Sequence, residues 1–303
     1  LADDISRLIA HFQMVRLKVM TLLSRLIGLL VARANAGNGW RMLMECLAAG
    51  RAITLPASAG GCSASILLAT TAYSRIRRQF NLPIGRFGGV QESMIQVISS
   101  SYAIQATRMF TTAIIDSGKR PVVGSAITKC YTTNFSRNCV TAAMDINGGK
   151  AICMGPNNYA AQNYIEAPIS ITVEGANILT RSMIIFGQGS IRCHPYVLEE
   201  LFSADEKDDK VGLKRFDKAV WAHVGFGFSN IVRSVVLGLT NAFFVRTPKG
   251  PLKRYYQLVT RFSTVLALVV DVSMLVLGGK LKRLECLSGR LADLVSFLYI
   301  IAS

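Results

Sequence analysis

Apolar residues recur at helical spacing along most of this chain. From residue 1 to about residue 34 they fall three or four positions apart, as at Leu8, Phe12, Val15 and Val19, with cations between them. This spacing predicts a basic amphipathic helix. Such a helix either packs on the rest of the chain, the interpretation that we favour, or lies at a membrane surface.

Glycine and proline divide the rest of the chain into further segments of helical spacing, and Asn147-Gly148-Gly149-Lys150 is one such break. We predict helices over 38–79, 90–117, 121–147 and 175–188, with more helices after about residue 211. No segment has the alternating pattern of a sheet domain. The predicted fold class is therefore all-α, an antiparallel helical bundle followed by a second helical region.

The charged run Ser203–Lys210 has the composition of a solvated linker between these two helical regions. We therefore divide the chain into an unmatched amphipathic helix (1–35), a helical bundle (36–202) and an additional helical domain (203–303). These boundaries follow the change in composition on either side of the charged run.

The segment Phe262–Leu277 is almost wholly apolar but contains Asp271. A membrane span needs ~20 apolar residues, and a carboxylate in mid-bilayer is strongly unfavourable. We therefore predict a buried helix here. The cations between Lys280 and Arg290 leave peripheral contact with acidic lipid as an alternative.

Composition adds two constraints. The chain has 303 residues, 51% of them hydrophobic, and its mean hydropathy is +0.37, which implies a large core, a membrane-facing surface, or both. A net charge of +16 implies anionic partners such as nucleotide phosphates or acidic lipid. No recognisable nucleic-acid-reading motif accompanies the charge, so nucleic acid is not among the predicted partners.

Cysteine and histidine usage argues against a zinc site. The seven cysteines contain no CxxC pair, and Cys193 and His194 are adjacent rather than spaced as metal ligands. No metal ligands are therefore predicted. Scattered cysteines fit a reducing compartment, and we therefore expect a cytoplasmic location.

The strongest candidate for chemistry is Glu174, the one carboxylate in the mostly apolar run Ala167–Phe186. Gly175 follows it, and a helical pattern begins at Ala176. An acid at a helix start can cap the helix and interact with its dipole, which local sequence alone favours. The alternative is a base held in an apolar pocket, where it removes a carbon-bound proton.

The residues around Glu174 resemble a known family. The segment VEGANILTR (173–181) is similar to the E-G-T-x-x-I-x-R segment of acyl-CoA dehydrogenases, most closely of the bacterial long-chain type. The motif G-x-G-W-R-x-L from Gly37, the tetrapeptide Arg77–Phe80 and the Gly148-Gly149 turn follow in the family's order. Asn81 stands where the family usually has Gly. The resemblance runs from about Ala36 to the C-terminus.

This resemblance implies an FAD-dependent desaturase acting on medium-chain or long-chain acyl-CoA in fatty-acid β-oxidation. It also implies a bacterial cytoplasmic protein, with association to the inner membrane as an alternative. Glu174 would be the base that removes the α-proton of the thioester, while the β-hydrogen leaves as hydride to the flavin. Arg51 and Gly175 would lie beside the substrate. The residues that would contact the FAD of a neighbouring subunit are Arg77, Gln79, Phe80 and Gly149. The implied partners are a second copy of the chain, in a homodimer or larger homo-oligomer, and an electron-transferring flavoprotein-type acceptor.

Members of the family also have an N-terminal helical domain and a β-sheet domain, which residues 1–34 do not resemble. We therefore expect this chain to correspond to the C-terminal portion, with weak FAD retention and negligible activity by itself. The rival interpretation is a non-catalytic basic helical module that binds a partner protein or an acidic membrane. A flavin spectrum would favour the first interpretation, and a colourless protein that binds anionic vesicles would favour the second.

Overall fold

The computed structural model describes residues 39–303, with side chains from Gly50 onward except at residue 282. The helix predicted over residues 1–34 lies outside the described residues. Residues 48–303 form one compact unit, and every side-chain contact below belongs to it.

The described chain is helical almost throughout, as the spacing predicts. Three long helices come first: α1 Gly39–Ile76, α2 Gly88–Asp116 and α3 Val122–Asn147. Short elements follow: α4 Gly149–Ile152, α5 Ala161–Thr172, α6 Asn177–Leu179, a π-helical segment Thr180–Gln188, α7 Gly189–Cys193 and α8 Val197–Ala204. The last three helices are α9 Asp209–Leu239, α10 Lys253–Leu277 and α11 Glu285–Ala302.

Helix α1 ends at Ile76, three residues before the predicted end. The chain then forms a small hairpin in which β1 (Arg78–Gln79) pairs antiparallel with β2 (Leu82–Pro83). Phe80 and Asn81 make the turn with φ of 49° and 63°. This left-handed conformation favours Gly but is tolerated by Asn, which explains how Asn81 replaces the usual Gly.

Helices α1, α2 and α3 pack around a core of aliphatic and small side chains. Its buried members include Ile66 of α1, Val97 of α2, and Cys139, Val140 and Ala143 of α3. Small residues on α3 allow its neighbours to approach closely, and α3 is accordingly the most buried of the long helices. It also carries Lys129, one of the two buried cations that hold the turn containing Glu174.

A second core joins the two predicted helical regions. Ala126 and Ile127 of α3 pack with Phe186 of the π-helical segment and with Leu291 and Ala292 of α11. The last helix of the chain therefore returns to the bundle and shares its core.

The charged run predicted as a linker forms a short turn between α8 and α9. The Asp208 carboxylate caps α9 by accepting hydrogen bonds from two backbone N–H groups, at 3.0 and 3.3 Å. Arg215 forms ion pairs with Glu199 and Glu206. The run therefore joins two contacting helices tightly, because its charges are used for capping and pairing.

The helix predicted over 262–277 is present within α10. The prediction that it is buried is wrong for the chain without a partner. Of these residues, all of them described, Thr264 alone is buried, and Leu275 is 87% exposed. By length and composition, Gly50–Ile76, Asp209–Leu239 and Lys253–Leu281 could each cross a membrane, and the bent pair α5 with Asn177–Cys193 could form one more span. Apolar content therefore did not determine burial, because α9 and α10 contact other described helices along only part of their surface.

Candidate active site at the Glu174 turn

Glu174 lies in a tight turn between α5 and α6. Its φ is 54° and that of Gly175 is 100°, so two successive residues adopt left-handed conformations. This conformation is unfavourable for a residue with a Cβ by about 1–3 kcal/mol, so surrounding contacts must hold the turn. Two buried cations from other helices provide those contacts.

Arg51 of α1 is the first of these cations. It is 7% exposed, and its Nε donates a hydrogen bond to the Glu174 carbonyl at 2.8 Å. A Cβ at Gly175 would lie 3.3 Å from an Arg51 guanidinium nitrogen, so the guanidinium occupies the space beside the glycine. Burial lowers the pKa of Arg51, and the Glu174 charge partly opposes this shift. Arg51 is therefore a buried cation and not an exposed one on the helix surface.

Lys129 of α3 is the second cation, and the sequence analysis missed it. It is fully buried, and its Nζ donates to the carbonyls of Ile171 and Gly175 and to Asn177 Oδ1, at 3.0, 2.8 and 2.8 Å. Burial lowers its pKa to about 8. All three ammonium donors are used within the turn. A lysine inside an otherwise apolar and small-residue stretch of a predicted helix was the sequence feature that could have revealed it.

Asn177 fixes the start of α6 on α3. Its Nδ2 lies 3.1 Å from the Cys130 carbonyl, 2.9 Å from Thr133 Oγ1 and 3.0 Å from Asn134 Oδ1. The residue is 5% exposed. A buried amide with these partners makes the position of the turn specific, because each lost partner would leave a desolvated polar atom.

The Glu174 carboxylate points against α1, where a glycine makes room for it. Its Oε1 would lie 3.1 Å from a Cβ at Gly50. Its Oε2 is buried and has no hydrogen-bond partner among the described residues. The N-cap of α6 is Ala176, with no side-chain capping bond. The carboxylate therefore does not cap the helix, and an unpartnered buried oxygen is free to act on a bound molecule.

The residues predicted to contact FAD lie at the far end of α1. Arg77, Gln79 and Phe80 are exposed in the small hairpin, and Phe80 is 89% exposed. Gly149 begins α4 with open space around its Cα. Lys150 Nζ lies 4.7 Å from the Tyr73 ring centroid, which places the α4 turn beside the end of α1. The structure therefore brings the four predicted residues to one end of the bundle.

This end is distant from Glu174 within one chain. Arg51 and Ile76, the last residue of α1 before Arg77, are 25 positions apart, which at ~1.5 Å per residue is roughly 40 Å. Glu174 contacts α1 at Gly50 and Arg51. The carboxylate and the four predicted FAD contacts therefore do not form a single site in one chain.

Two histidines and an aspartate converge in the C-terminal region, although their sequence spacing did not indicate it. One ligand atom each of His194, His223 and Asp271 lie within 4.8 Å of one another. His194 Nε2 is 2.8 Å from Asp271 Oδ1, and His223 Nδ1 is 2.7 Å from Glu200 Oε1. This arrangement has the composition of a metal site.

The hydrogen bonds of His194 favour a different interpretation. Its Nδ1 accepts from the backbone N–H groups of Tyr196 and Val197 at 3.3 and 3.2 Å, so its proton is on Nε2 and is donated to Asp271. A metal-bound histidine instead donates its second ring N–H. We therefore interpret the cluster as a hydrogen-bonded connection between the α7–α8 turn and α10, with His223 of α9 tied to α8.

Comparisons with known proteins match two successive parts of the chain. The family described as "Acyl-CoA dehydrogenase, C-terminal domain" matches residues 37–186, and the family described as "Acyl-CoA dehydrogenase, C-terminal, bacterial type" matches residues 191–303. Together they cover nearly all of the described chain.

One of the similar solved structures shares the fold of this chain. An acyl-CoA dehydrogenase from Bacillus anthracis, solved in complex with FAD, has a TM-score of 0.65 at 18% identity over 87% of this chain and 42% of that one. An electron transferring flavoprotein of Acidaminococcus fermentans has a TM-score of 0.44 at 27% identity over 52% of this chain and 40% of that one. The chain spans less than half the length of these two structures.

A sequence match to a curated protein is short. Protein HemX of Proteus mirabilis is 57% identical over 37 residues, which is 12% of this chain and 22% of that protein.

Proposed function

The chain belongs to the acyl-CoA dehydrogenase family, and from this premise we propose that it is the C-terminal helical part of an enzyme that desaturates acyl-CoA between the α and β carbons. The proposed pathway is fatty-acid β-oxidation in a bacterial cytoplasm. The chain length of the acyl group is left open, because the 303 residues span less than half of the FAD-bound relative.

The main support for this proposal is the environment of the Glu174 carboxylate. Its Oε2 is buried and has no partner among the described residues, while Arg51 donates to the Glu174 carbonyl and Lys129 donates to the Gly175 carbonyl. We propose that Oε2 takes the α-proton of the thioester. A general base acts efficiently when it is positioned within hydrogen-bond reach of the proton and kept from water. Arg51 and Gly175 would then form the wall beside the substrate.

The exposed groups at the other end of α1 suit an anionic dinucleotide. This exposed segment carries a guanidinium, an amide and an aromatic ring, on Arg77, Gln79 and Phe80. Gly149, which has free space beside its Cα, lies at the same end of the bundle. FAD would accept the β-hydrogen as hydride. Because these residues lie at the opposite end of α1 from Arg51 and Glu174, we propose that they hold the FAD of a second subunit, so that the functional enzyme is a homo-oligomer. An electron-transferring flavoprotein-type acceptor is the proposed oxidant of the reduced cofactor.

The test is turnover with FAD, a long-chain acyl-CoA and an electron acceptor dye. We expect the 303 residues alone to retain little FAD and to be inactive. Co-expression with the N-terminal and β domains of a bacterial relative should restore turnover. Glu174→Gln should then lower kcat by about 10²–10⁴-fold.

The matched control is Glu166→Gln, an exposed glutamate on α5 whose carboxylate lies 2.5 Å from Gln162 Nε2. It should leave kcat unchanged. Full turnover by Glu174→Gln in the restored complex would show that Glu174 is not the base.

A second candidate function rests on the exposure of α9 and α10. Only 6% of the most apolar window in each of these helices is buried. A basic chain with such a surface could be a non-catalytic module at an acidic membrane. Sedimentation with anionic but not zwitterionic vesicles, together with no turnover after co-expression with the N-terminal and β domains, would favour this function over the first.

A further inference from the structure

A cavity of about 240 Å³ lies where the bundle meets the last three helices. Phe186 and Ser190 line it from the bundle side, and Phe226, Ala267 and Val270 line it from α9 and α10. Arg51, Lys129 and Glu174 are not among its lining residues. The cavity is therefore separate from the Glu174 turn, and binding of a ligand in it is independent of the function proposed for that turn.

The walls are apolar with one unexplained polar atom. Ser190 is 8% exposed, and its Oγ is buried without a hydrogen-bond partner among the described residues. His194 also lines the cavity, but its two ring nitrogens are already bonded to Asp271 and to backbone N–H groups. A buried hydroxyl without a partner is unfavourable and rare in folded proteins. A ligand with one hydrogen-bonding atom would satisfy it.

The size and charge of the cavity define the class of ligand. An apolar cavity of ~150 Å³ holds benzene, so this larger one has room for roughly six to ten non-hydrogen atoms. No Lys or Arg is among the lining residues, so a carboxylate inside would have no counter-charge. A lone water would find few polar partners there.

The cavity also reaches the surface. Three residues at its edge, Cys193, Pro195 and Ser263, are exposed, so a small molecule has a route of entry. We propose that this cavity binds a neutral aliphatic molecule with a single hydrogen-bonding head, such as a medium-chain alcohol or aldehyde, whose head pairs with Ser190 Oγ.

The probes are 1-hexanol, pentane and hexanoate, titrated into the full chain by ligand-observed NMR. Hexanol should bind, and hexanoate should bind at least about tenfold more weakly, because its charge would be desolvated. Ser190→Ala should weaken hexanol binding about fivefold to tenfold and leave pentane binding unchanged, since only hexanol uses the hydroxyl. Ser99→Ala, an exposed serine on α2, is the control and should change neither.

Filling the cavity provides an independent test. Ala267→Phe should abolish binding of both hexanol and pentane. If that variant fails to fold, Ser263→Leu at the exposed edge of the cavity replaces it in the experiment. This variant should also lose binding of both hexanol and pentane. Absence of hexanol binding to the unmodified chain, or equal hexanol affinity in Ser190→Ala, or binding that survives the filling variant, would overturn the proposal.

Discussion

The carbonyls of Glu174 and Gly175 each accept a hydrogen bond from a buried cation, and these two bonds explain how a strained turn persists. Arg51 reaches Glu174 from α1, and Lys129 reaches Gly175 from α3. At the residue scale, the position of Glu174, the proposed base, therefore depends on two side chains that have no proposed role in proton transfer. Their removal should affect the turn in ways that differ from loss of the carboxylate.

Gly175→Ala tests the strain in this turn. The substitution places a Cβ at φ 100° and 3.3 Å from the Arg51 guanidinium, so we expect destabilisation by about 1–3 kcal/mol. Gly61→Ala is the control, because its added Cβ meets nothing within 4 Å on helix α1. It should be neutral or stabilise by up to about 1 kcal/mol. Urea unfolding followed by circular dichroism measures both, and equal effects would contradict the proposed strain.

Lys129→Met tests the second cation. The change leaves the carbonyls of Ile171 and Gly175 and the Asn177 side chain without their donor, and we expect a loss of about 1–3 kcal/mol. The exposed Lys119→Met is the matched control and should stay within about 0.5 kcal/mol. The same urea experiment applies. A Lys129 variant as stable as the control would show that the three hydrogen bonds do not hold the turn.

At the scale of elements, the π-helical segment is tied to both α3 and α11. The Arg181 guanidinium donates to both Asp293 carboxylate oxygens, and the Tyr131 hydroxyl donates to Asp293 Oδ1 at 2.6 Å. Asp293 therefore connects three elements that are far apart in sequence. Burial raises the pKa of Asp293, but the Arg181 and Tyr131 hydrogen bonds outweigh it and lower the pKa overall.

The substitution Asp293→Asn tests this ion pair, because its effect on the free energy of unfolding should depend on pH. Because the folded pKa is lower than the unfolded one, the pair stabilises the fold at pH values above about 4, and this stability is lost as pH falls through the folded pKa. Both side chains are partly exposed, so we expect a modest loss of about 1 kcal/mol at pH 7. The difference in the free energy of unfolding between the variant and the unmodified chain, measured by urea titration, should become smaller below pH 4. A difference independent of pH would contradict the ion pair.

At the scale of the whole molecule, the apolar surface of α9 and α10 dominates. Leu239 and Leu275 are 85% and 87% exposed, and Trp221 is 74% exposed. Extensive exposed apolar surface is typical of a region covered by another molecule. This exposure predicts that the isolated chain associates with itself.

We expect the isolated chain to sediment as oligomers or larger aggregates. The double substitution of Leu239 and Leu275 by Ser should shift it towards the monomer, because it removes two large apolar contacts from this surface. Matched substitutions of Ile95 and Met109, which are exposed on α2, are the control. Sedimentation velocity measures each. Equal shifts for the two pairs would show that association is not specific to α9 and α10.

The sequence by itself determined the helical architecture and the family. Helical periodicity and Gly or Pro breaks depend on residues a few positions apart, so α2 and α3 were predicted to within two residues. The resemblance around Glu174 correctly indicated an acyl-CoA dehydrogenase C-terminal region. The roles of Glu174 and of the four FAD contacts stay predictions.

Only the tertiary structure decided what surrounds Glu174 and which helices are covered. Arg51 and Glu174 are 123 positions apart, and Lys129 and Gly175 are 46 apart, so no local pattern encodes their contacts. The convergence of His194 with His223 and Asp271 depends in the same way on helix packing. Exposure of α10 could not be predicted from its apolar composition, because burial depends on which surfaces meet and not on hydropathy alone.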